Sequence, residues 1–217
     1  MDNLRFSERL QQGCRTLGVS ISEDVPPRLH LLMNELIRWN AKVNLTAITV
    51  PEEVLEKHFL DSLAVLPEVE GAASLLDLGA GAGFPGLPLK MARPALAVTL
   101  VDTVGKKASF LKATIAAMGL KEARGLHARA EGNPDKEGIP RAELLIARAF
   151  MDLPDWLNLA PAYLLPGGRV VAMLGKAQPD AELRARADER GLRFVSSRQY
   201  RLPFSGAERQ VAVFAKD

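Results

Sequence analysis

A chain of 217 residues with 47% hydrophobic and 25% charged side chains has ordinary globular composition, which excludes a disordered chain, a collagen and a disulfide miniprotein. The formal net charge of +2 permits a nucleic-acid partner without demanding one, and the single cysteine, Cys14, excludes an internal disulfide. The polar start MDNLRFSERLQQG is no secretory leader and no apolar run approaches the ~20 residues of a membrane helix, so a cytoplasmic protein with no membrane attachment is expected.

The first 70 residues read as helical. Asn3 is placed to cap a helix carrying Leu4, Phe6, Leu10 and Leu17. After Pro26-Pro27, the residues Leu29, Leu32, Met33, Leu36 and Ile37 make one apolar stripe at helical spacing. Thr49-Val50-Pro51-Glu52 has capping-box spacing, and a third helix follows through Val54, Leu55, Phe59, Leu60 and Leu63 to near Pro67. Strands are then expected at Ala73–Leu78, Ala97–Val101, Ala123–Ala128, Ala142–Ala147, Arg169–Leu174, Arg193–Arg201 and Gln210–Ala215. Helices are expected from Pro85–Met91, Lys106–Met118, Leu153–Leu165 and Pro179–Arg190, with a turn at Pro166-Gly167-Gly168. This alternation predicts an α/β fold, a doubly wound, mostly parallel sheet of about seven strands ending in an antiparallel hairpin. Residues 1–70 are expected to pack as a helical cap on a core of residues 71–217, because ~70 residues alone make a thin core.

The most informative segment is Leu75 to Gly86, where an apolar strand ends in Asp77 and then Gly79, Gly81 and Gly83. Glycine lets a ligand touch the backbone, and the carboxyl end of the first parallel strand is where ligands bind in such sheets. Asp102 ends the next strand, 19 residues after Gly83, and can accept hydrogen bonds from both hydroxyls of an adenosine ribose. Two ligands fit. Gly81-x-Gly83-x-x-Gly86 spells a dinucleotide fingerprint. Asp77-x-Gly79-x-Gly81-x-Gly83 spells a loop for S-adenosylmethionine. The acid facing a cationic ligand, the long segment before the loop and the terminal hairpin favour the methyl donor.

The chain resembles the RsmG (GidB) family of bacterial small-subunit rRNA guanine-N7 methyltransferases. The resemblance rests on Trp39-Asn40-x-x-x-Asn44-Leu45-Thr46-Ala47, His58-x-x-Asp61-Ser62-Leu63, Asp77 to Leu89, Asp102-x-x-x-Lys106-Lys107-x-x-Phe110-Leu111, Arg148-Ala149-Phe150 and Glu208-Arg209. It implies a class I, Rossmann-like methyltransferase of seven strands, S-adenosylmethionine as cofactor, and a guanosine in the decoding-region loop of 16S rRNA, methylated at N7. It also implies cofactor contacts at Gly79 and Phe84, at Asp102, Thr103 and Val104, at Ala130 and Glu131, and at Arg148. Asp102-Thr103 departs from the aspartate-serine that the family often carries.

The residues agree with that chemistry by what they omit. Guanine N7 has a free lone pair, so no general base is required and orientation supplies the rate. The sequence after the fourth strand reads Ala147-Arg148-Ala149-Phe150, not the Pro-Pro-aromatic motif of enzymes that methylate exocyclic amines. Cys14 is far in sequence from the sheet, as a cytosine-C5 nucleophile would not be. Arg148 is the candidate for positioning the base or the cofactor carboxylate; Phe150 can stack on the base or pack inside. His58, Asp61 and Ser62 share a helix face but cannot form a hydrolytic triad from one helix. They fix the cap or wall the pocket, and Asn40 and Asn44 satisfy backbone or touch ligand. His30 reads as structural and His127 as a loop residue. No spacing suggests a metal site.

For RNA the candidates are Lys106 and Lys107, beside the cofactor loop, and Arg198, Arg201 and Arg209, interleaved with Tyr200 and Phe204. N7 lies in the deep groove of an A-form helix, so a splayed loop nucleotide is the expected target, in 16S rRNA or the small ribosomal subunit. The protein is expected to act as a monomer. A methyltransferase for another RNA or a small molecule, and a nucleotide-sensing module without turnover, remain open at this point.

Overall fold

In the computed structural model, which describes residues 1–148 and 151–216, the first helix α1 (Asn3–Leu17) is capped one residue earlier than expected. The Asp2 carboxylate, not Asn3, accepts from the Arg5 amide at 2.9 Å. Helix α2 (Val25–Val43) takes Pro26 and Pro27 into its first turn, where a missing N–H is tolerated. It buries Leu29, Leu32, Met33 and Leu36, while Ile37 at the margin of the stripe is exposed. The third expected helix is broken into α3 (Pro51–Val54), a π-helical turn (Leu55–Leu60) and α4 (Asp61–Leu63), followed by α5 (Leu66–Val69). The Thr49 capping box does not form. Val50 holds the cap position without a side-chain bond, and Glu52 faces Arg5 at 3.6 Å.

The sheet contains β1 (Ser74–Leu78), β2 (Ala97–Asp102), β3 (Ala123–His127), β4 (Ala142–Arg148), β5 (Leu164–Leu174), β6 (Arg193–Arg201) and β7 (Glu208–Ala215). The spatial order is β3-β2-β1-β4-β5-β7-β6, parallel except for β7, which runs antiparallel to both β5 and β6. Between them lie α6 (Gly86–Ala92), α7 (Gly105–Ala117), α8 (Pro134–Glu137), α9 (Leu153–Leu159) and α10 (Asp180–Asp188). Two expectations shift here. The helix from Leu153 ends at Leu159 in a 3-10 turn, Ala160–Tyr163, because Pro161 has no N–H to continue the ladder. The Pro166-Gly167-Gly168 turn lies inside β5 as a bulge, where the register passes from Ala142↔Leu164 to Leu144↔Arg169. A Cβ at Gly168 would stand 2.9 Å from the Leu165 carbonyl.

Alternate residues of each strand serve two apolar layers. Leu75, Leu100, Ile146, Val171 and Val213 join one cluster that runs without a break into Phe6, Leu10, Leu32, Phe59 and Leu60 of the N-terminal helices. Leu76, Val101, Leu145, Ala172 and Phe214 face the other cluster, around Trp156, Leu157 and Leu183. The strand order reverses between β1 and its neighbours β2 and β4, so the loop after β1 opens at a switch point of the sheet. No helix among the described residues is long and apolar enough to cross a membrane.

Candidate active site

The loop after β1 is tied to its neighbour strand. The Gly79 and Ala80 amides both donate to the Val101 carbonyl, at 2.9 and 3.0 Å. Asp77 is fully buried behind the loop, where Oδ2 accepts from the Gly86 amide at 2.9 Å. Gly86 therefore serves packing and not a dinucleotide: its Cβ would meet Leu100 at 2.2 Å and Asp77 Oδ2 at 2.9 Å. Asp77 Oδ1 has no hydrogen-bond partner among the described residues. Burial, only partly offset by the Gly86 bond and Arg148, pushes the Asp77 carboxyl up to about 7. Asp102 closes the loop from β2: Oδ2 accepts from the Gly81 amide at 2.9 Å and Oδ1 from the Val104 amide at 2.8 Å. Each of these oxygens keeps a second lone pair.

Two clefts open at these strand ends and share Gly79 and Lys107 as walls. One, of about 260 Å³, is lined by Leu78, Asp102, Thr103, Val104 and Ala130. Glu131 does not line it; its amide donates to Glu137 Oε1 at 3.0 Å. Glu137 also holds the Asn133 amide at 2.8 Å and accepts from the Tyr163 hydroxyl, so it fastens the segment after β3. The other cleft, of about 500 Å³, is lined by Gly81, Phe84, Thr46, His58, Arg148 and Arg209, among others. At Gly81, with φ of 59°, the side-chain direction is open to within 3.9 Å of the Gly79 carbonyl, so a ligand can reach the backbone.

Arg148 ends β4 at the second cleft and is held from three sides. Nη1 donates to the Lys57 carbonyl at 2.6 Å and to Asp61 Oδ2 at 3.2 Å, and Nη2 donates to His58 Nδ1 at 3.0 Å. A guanidinium only donates, so His58 Nδ1 is the acceptor and the ring proton sits on Nε2, donating to Thr46 Oγ1 at 3.1 Å. Burial first, then the charge of Arg148, pushes His58 down to about 3, so the ring is neutral. Thr46 is held in turn: Asn40 Oδ1 accepts from the Leu45 and Thr46 amides at 2.6 and 2.8 Å. Asn40 thus satisfies backbone groups, and Asn44 supplies the left-handed end of α2. Among the described residues three of the five guanidinium donors are committed, which leaves Nε–H and one Nη2–H of Arg148 for a ligand.

Other candidates lie elsewhere. Ser62 is fully buried and donates to the His58 carbonyl at 2.5 Å, so it braces the helix. His30 contacts the Met1 carbonyl and the Phe6 ring, and His127 contacts the Thr103 carbonyl. Arg198 faces neither cleft; it binds Glu68 through Nε and Nη2 and the Ala64 carbonyl at 2.7 Å. Arg201 pairs with Glu208 at 2.8 Å on the exposed hairpin. Tyr200 binds Asp61 instead of standing free to stack on a base. Phe150 lies outside the described residues. The end of β5 at Met173 and Leu174, with Gly175 after it, lines the larger cleft without having been singled out from sequence. The β5 end was inferable, since parallel strands end on one edge.

A family model described as GidB, rRNA small subunit methyltransferase G, matches residues 27–212. A "Ribosomal RNA small subunit methyltransferase G" of Myxococcus xanthus (strain DK1622) is 77% identical over 217 residues, all of both chains. One of Anaeromyxobacter dehalogenans (strain 2CP-C) is 45% identical over 207 residues, 95% of this chain and 96% of that protein. Among solved structures, an O-methyltransferase from Bacillus cereus in complex with SAH is similar with a TM-score of 0.61 and 16% identity over 99% of this chain and 100% of that one. TrmN from Thermus thermophilus is similar with a TM-score of 0.56 and 23% identity over 75% of this chain and 53% of that one. At such identities the two structures speak for the Rossmann-like fold alone.

Proposed function

The chain belongs to the GidB family, rRNA small subunit methyltransferase G, and on that premise we propose that it methylates N7 of a guanosine in the decoding-region loop of 16S rRNA, with S-adenosylmethionine as cofactor. The observation that carries this reading is the pair of clefts meeting at Gly79 and Lys107 over the carboxyl ends of the central strands. S-adenosylmethionine, when bound, supplies a methyl group already activated on a sulfonium. The residues fit it. Asp102, Thr103, Val104 and Ala130 offer an adenosine-sized cleft of about 260 Å³. Gly79, Gly81 and Phe84 line the larger cleft, where a ligand can approach the loop at backbone distance; Gly83, expected to do the same, lines neither cleft, because Leu87 and Leu111 fill its side-chain direction, at 2.3 and 3.2 Å from a Cβ. Asp77 lines neither cleft; it supports the loop from behind by accepting from the Gly86 amide.

Arg148 offers its two uncommitted N–H groups to the cofactor carboxylate or to the guanine carbonyl. Among the described residues of the larger cleft, His58 and Asp61 are already committed to Arg148. Neither stands ready to take a proton, and N7 has none to give. The work of the chain is to bind, orient and exclude water. Lys106 and Lys107 open α7 beside the loop and suit substrate phosphates. Residues 1–70 act as a cap whose Thr46, Ile48 and Lys57 wall the substrate cleft of the 71–217 core. The protein acts as a monomer in this reading, and a ribosomal substrate suits a cytoplasmic location.

The test is transfer of radiolabelled methyl to 30S subunits, protein-free 16S rRNA and tRNA, with mass spectrometry of the nucleosides. 7-Methylguanosine from 16S substrates alone is expected. Label in tRNA, or a different methylated nucleoside, overturns the reading.

A further inference from the structure

Tyr200 sits on β6 opposite Arg209 of β7, and lines neither cleft. Its hydroxyl nevertheless donates to Asp61 Oδ1 at 2.8 Å, across 139 residues of sequence. The other oxygen of Asp61 is the one that holds Arg148, at 3.2 Å. Asp61 is 3% exposed, so water does not replace a lost partner freely. A second guanidinium competes for the same carboxylate: Arg209 Nε stands 3.6 Å from Oδ1, inside ion-pair range but beyond a hydrogen bond. The Asp61 carboxylate is therefore shared between two arginines, and the Tyr200 hydroxyl binds the oxygen that faces Arg209. Burial, then the charge of Asp61, holds the Tyr200 phenol well above its usual range, so it stays a donor at any working pH. The ring itself packs under Arg198, whose Cζ lies 5.5 Å from the centroid and which is held in turn by Glu68 and the Ala64 carbonyl.

We propose that Tyr200 is a positioning residue for methyl transfer: its hydroxyl orients Asp61, and Asp61 orients the Arg148 guanidinium at the mouth of the substrate cleft. The proposal rests on the reading of Arg148 given above. Without the hydroxyl, Asp61 turns toward Arg209 and Arg148 keeps only Lys57 and His58. The guanidinium then loses the tilt that aims its free N–H groups.

The experiment is a double-mutant cycle of Tyr200→Phe and Arg148→Ala, read as single-turnover methyl transfer to saturating 30S subunits. Tyr200→Phe keeps the ring against Arg198, and calorimetric binding of S-adenosylhomocysteine reports that the variant is folded. Tyr200→Phe is expected to lower the transfer rate constant by about tenfold to a hundredfold, the scale of a misplaced positioning group. The half-saturating 30S concentration is expected to stay unchanged. In the Arg148→Ala background the same substitution is expected to cost nothing further. Equal losses in both backgrounds, a loss confined to RNA affinity, or no loss at all overturns the proposal while leaving Arg148 in place. Full activity of Arg148→Ala alone overturns the Arg148 reading first, and the route from Tyr200 through it.

Discussion

The imidazole of His58 lies flat on the ring of Phe84, with centroids 4.4 Å apart and planes 8° from parallel. This contact joins the N-terminal helices to the glycine loop, and the same imidazole accepts from Arg148. Phe59 meets the same Phe84 ring edge-on, with centroids 5.4 Å apart. A π-helical turn places His58 and Phe59 side by side against the loop, as such turns often do at functional sites. The cap is thus part of the candidate site and not an appendage.

Arg148→Ala is expected to lower methyl transfer by at least about a hundredfold. It also leaves the Asp61 carboxylate buried with fewer partners, which costs stability on the order of 3 kcal/mol. Arg148→Lys is not expected to restore activity, because one ammonium cannot span the Lys57 carbonyl, Asp61 and His58 in the fork geometry. Formation of 7-methylguanosine in 16S rRNA, together with thermal unfolding, checks both.

Two buried groups give opposite pH dependences. Asp77 is raised from 3.8 to about 7, so the folded state keeps a proton that the unfolded chain has lost, and stability falls as pH rises through that window. His58 is lowered from 6.5 to about 3, so the unfolded chain takes up a proton that the folded state refuses, and stability falls as pH drops through that window. Asp77→Asn is expected to remove the first slope and leave the second. Denaturant midpoints at several pH values between about 4 and 8 compare the variant with the parent. An unchanged slope in Asp77→Asn contradicts the assignment.

The glycines of the loop separate packing from ligand access. Gly86→Ala puts a Cβ 2.2 Å from Leu100 and is expected to destabilise by about 1–3 kcal/mol. Gly81→Ala meets nothing nearer than 3.9 Å and pays only for its φ of 59°, about 1–2 kcal/mol, but it fills the side from which a ligand approaches. Binding of S-adenosylhomocysteine is therefore expected to weaken more than tenfold in Gly81→Ala. Melting temperatures and calorimetry on the two variants make the comparison.

The cations divide in the same way. Lys106→Ala and Lys107→Ala are each expected to reduce the salt slope of RNA binding by about 1. Arg198→Ala breaks an internal pair with Glu68 and is expected to lower stability with no change in that slope. Filter binding of 16S fragments at several salt concentrations reads the first effect, and thermal unfolding the second.

The alternation of apolar runs and the acid-glycine loop were enough to read seven strands, a doubly wound sheet and the ligand end of it, because burial imposes periods of two and 3.6 on local sequence. Motifs such as DLGAGAGFPGLPL carried the family. Element edges escaped where backbone exceptions intervene: the bulge at Gly167-Gly168, the π turn at Leu55–Leu60 and the early end of the helix before Pro161. The scattered arginines could not be sorted either, since Arg198 and Arg209 look alike in sequence, yet one binds Glu68 and the other lines a cleft. What the tertiary structure alone decided is the partnership of Thr46, His58, Asp61, Arg148 and Tyr200. Asp61 meets Arg148 and Tyr200 across 87 and 139 residues, and no local period records a hydrogen bond between elements that only chain topology brings together.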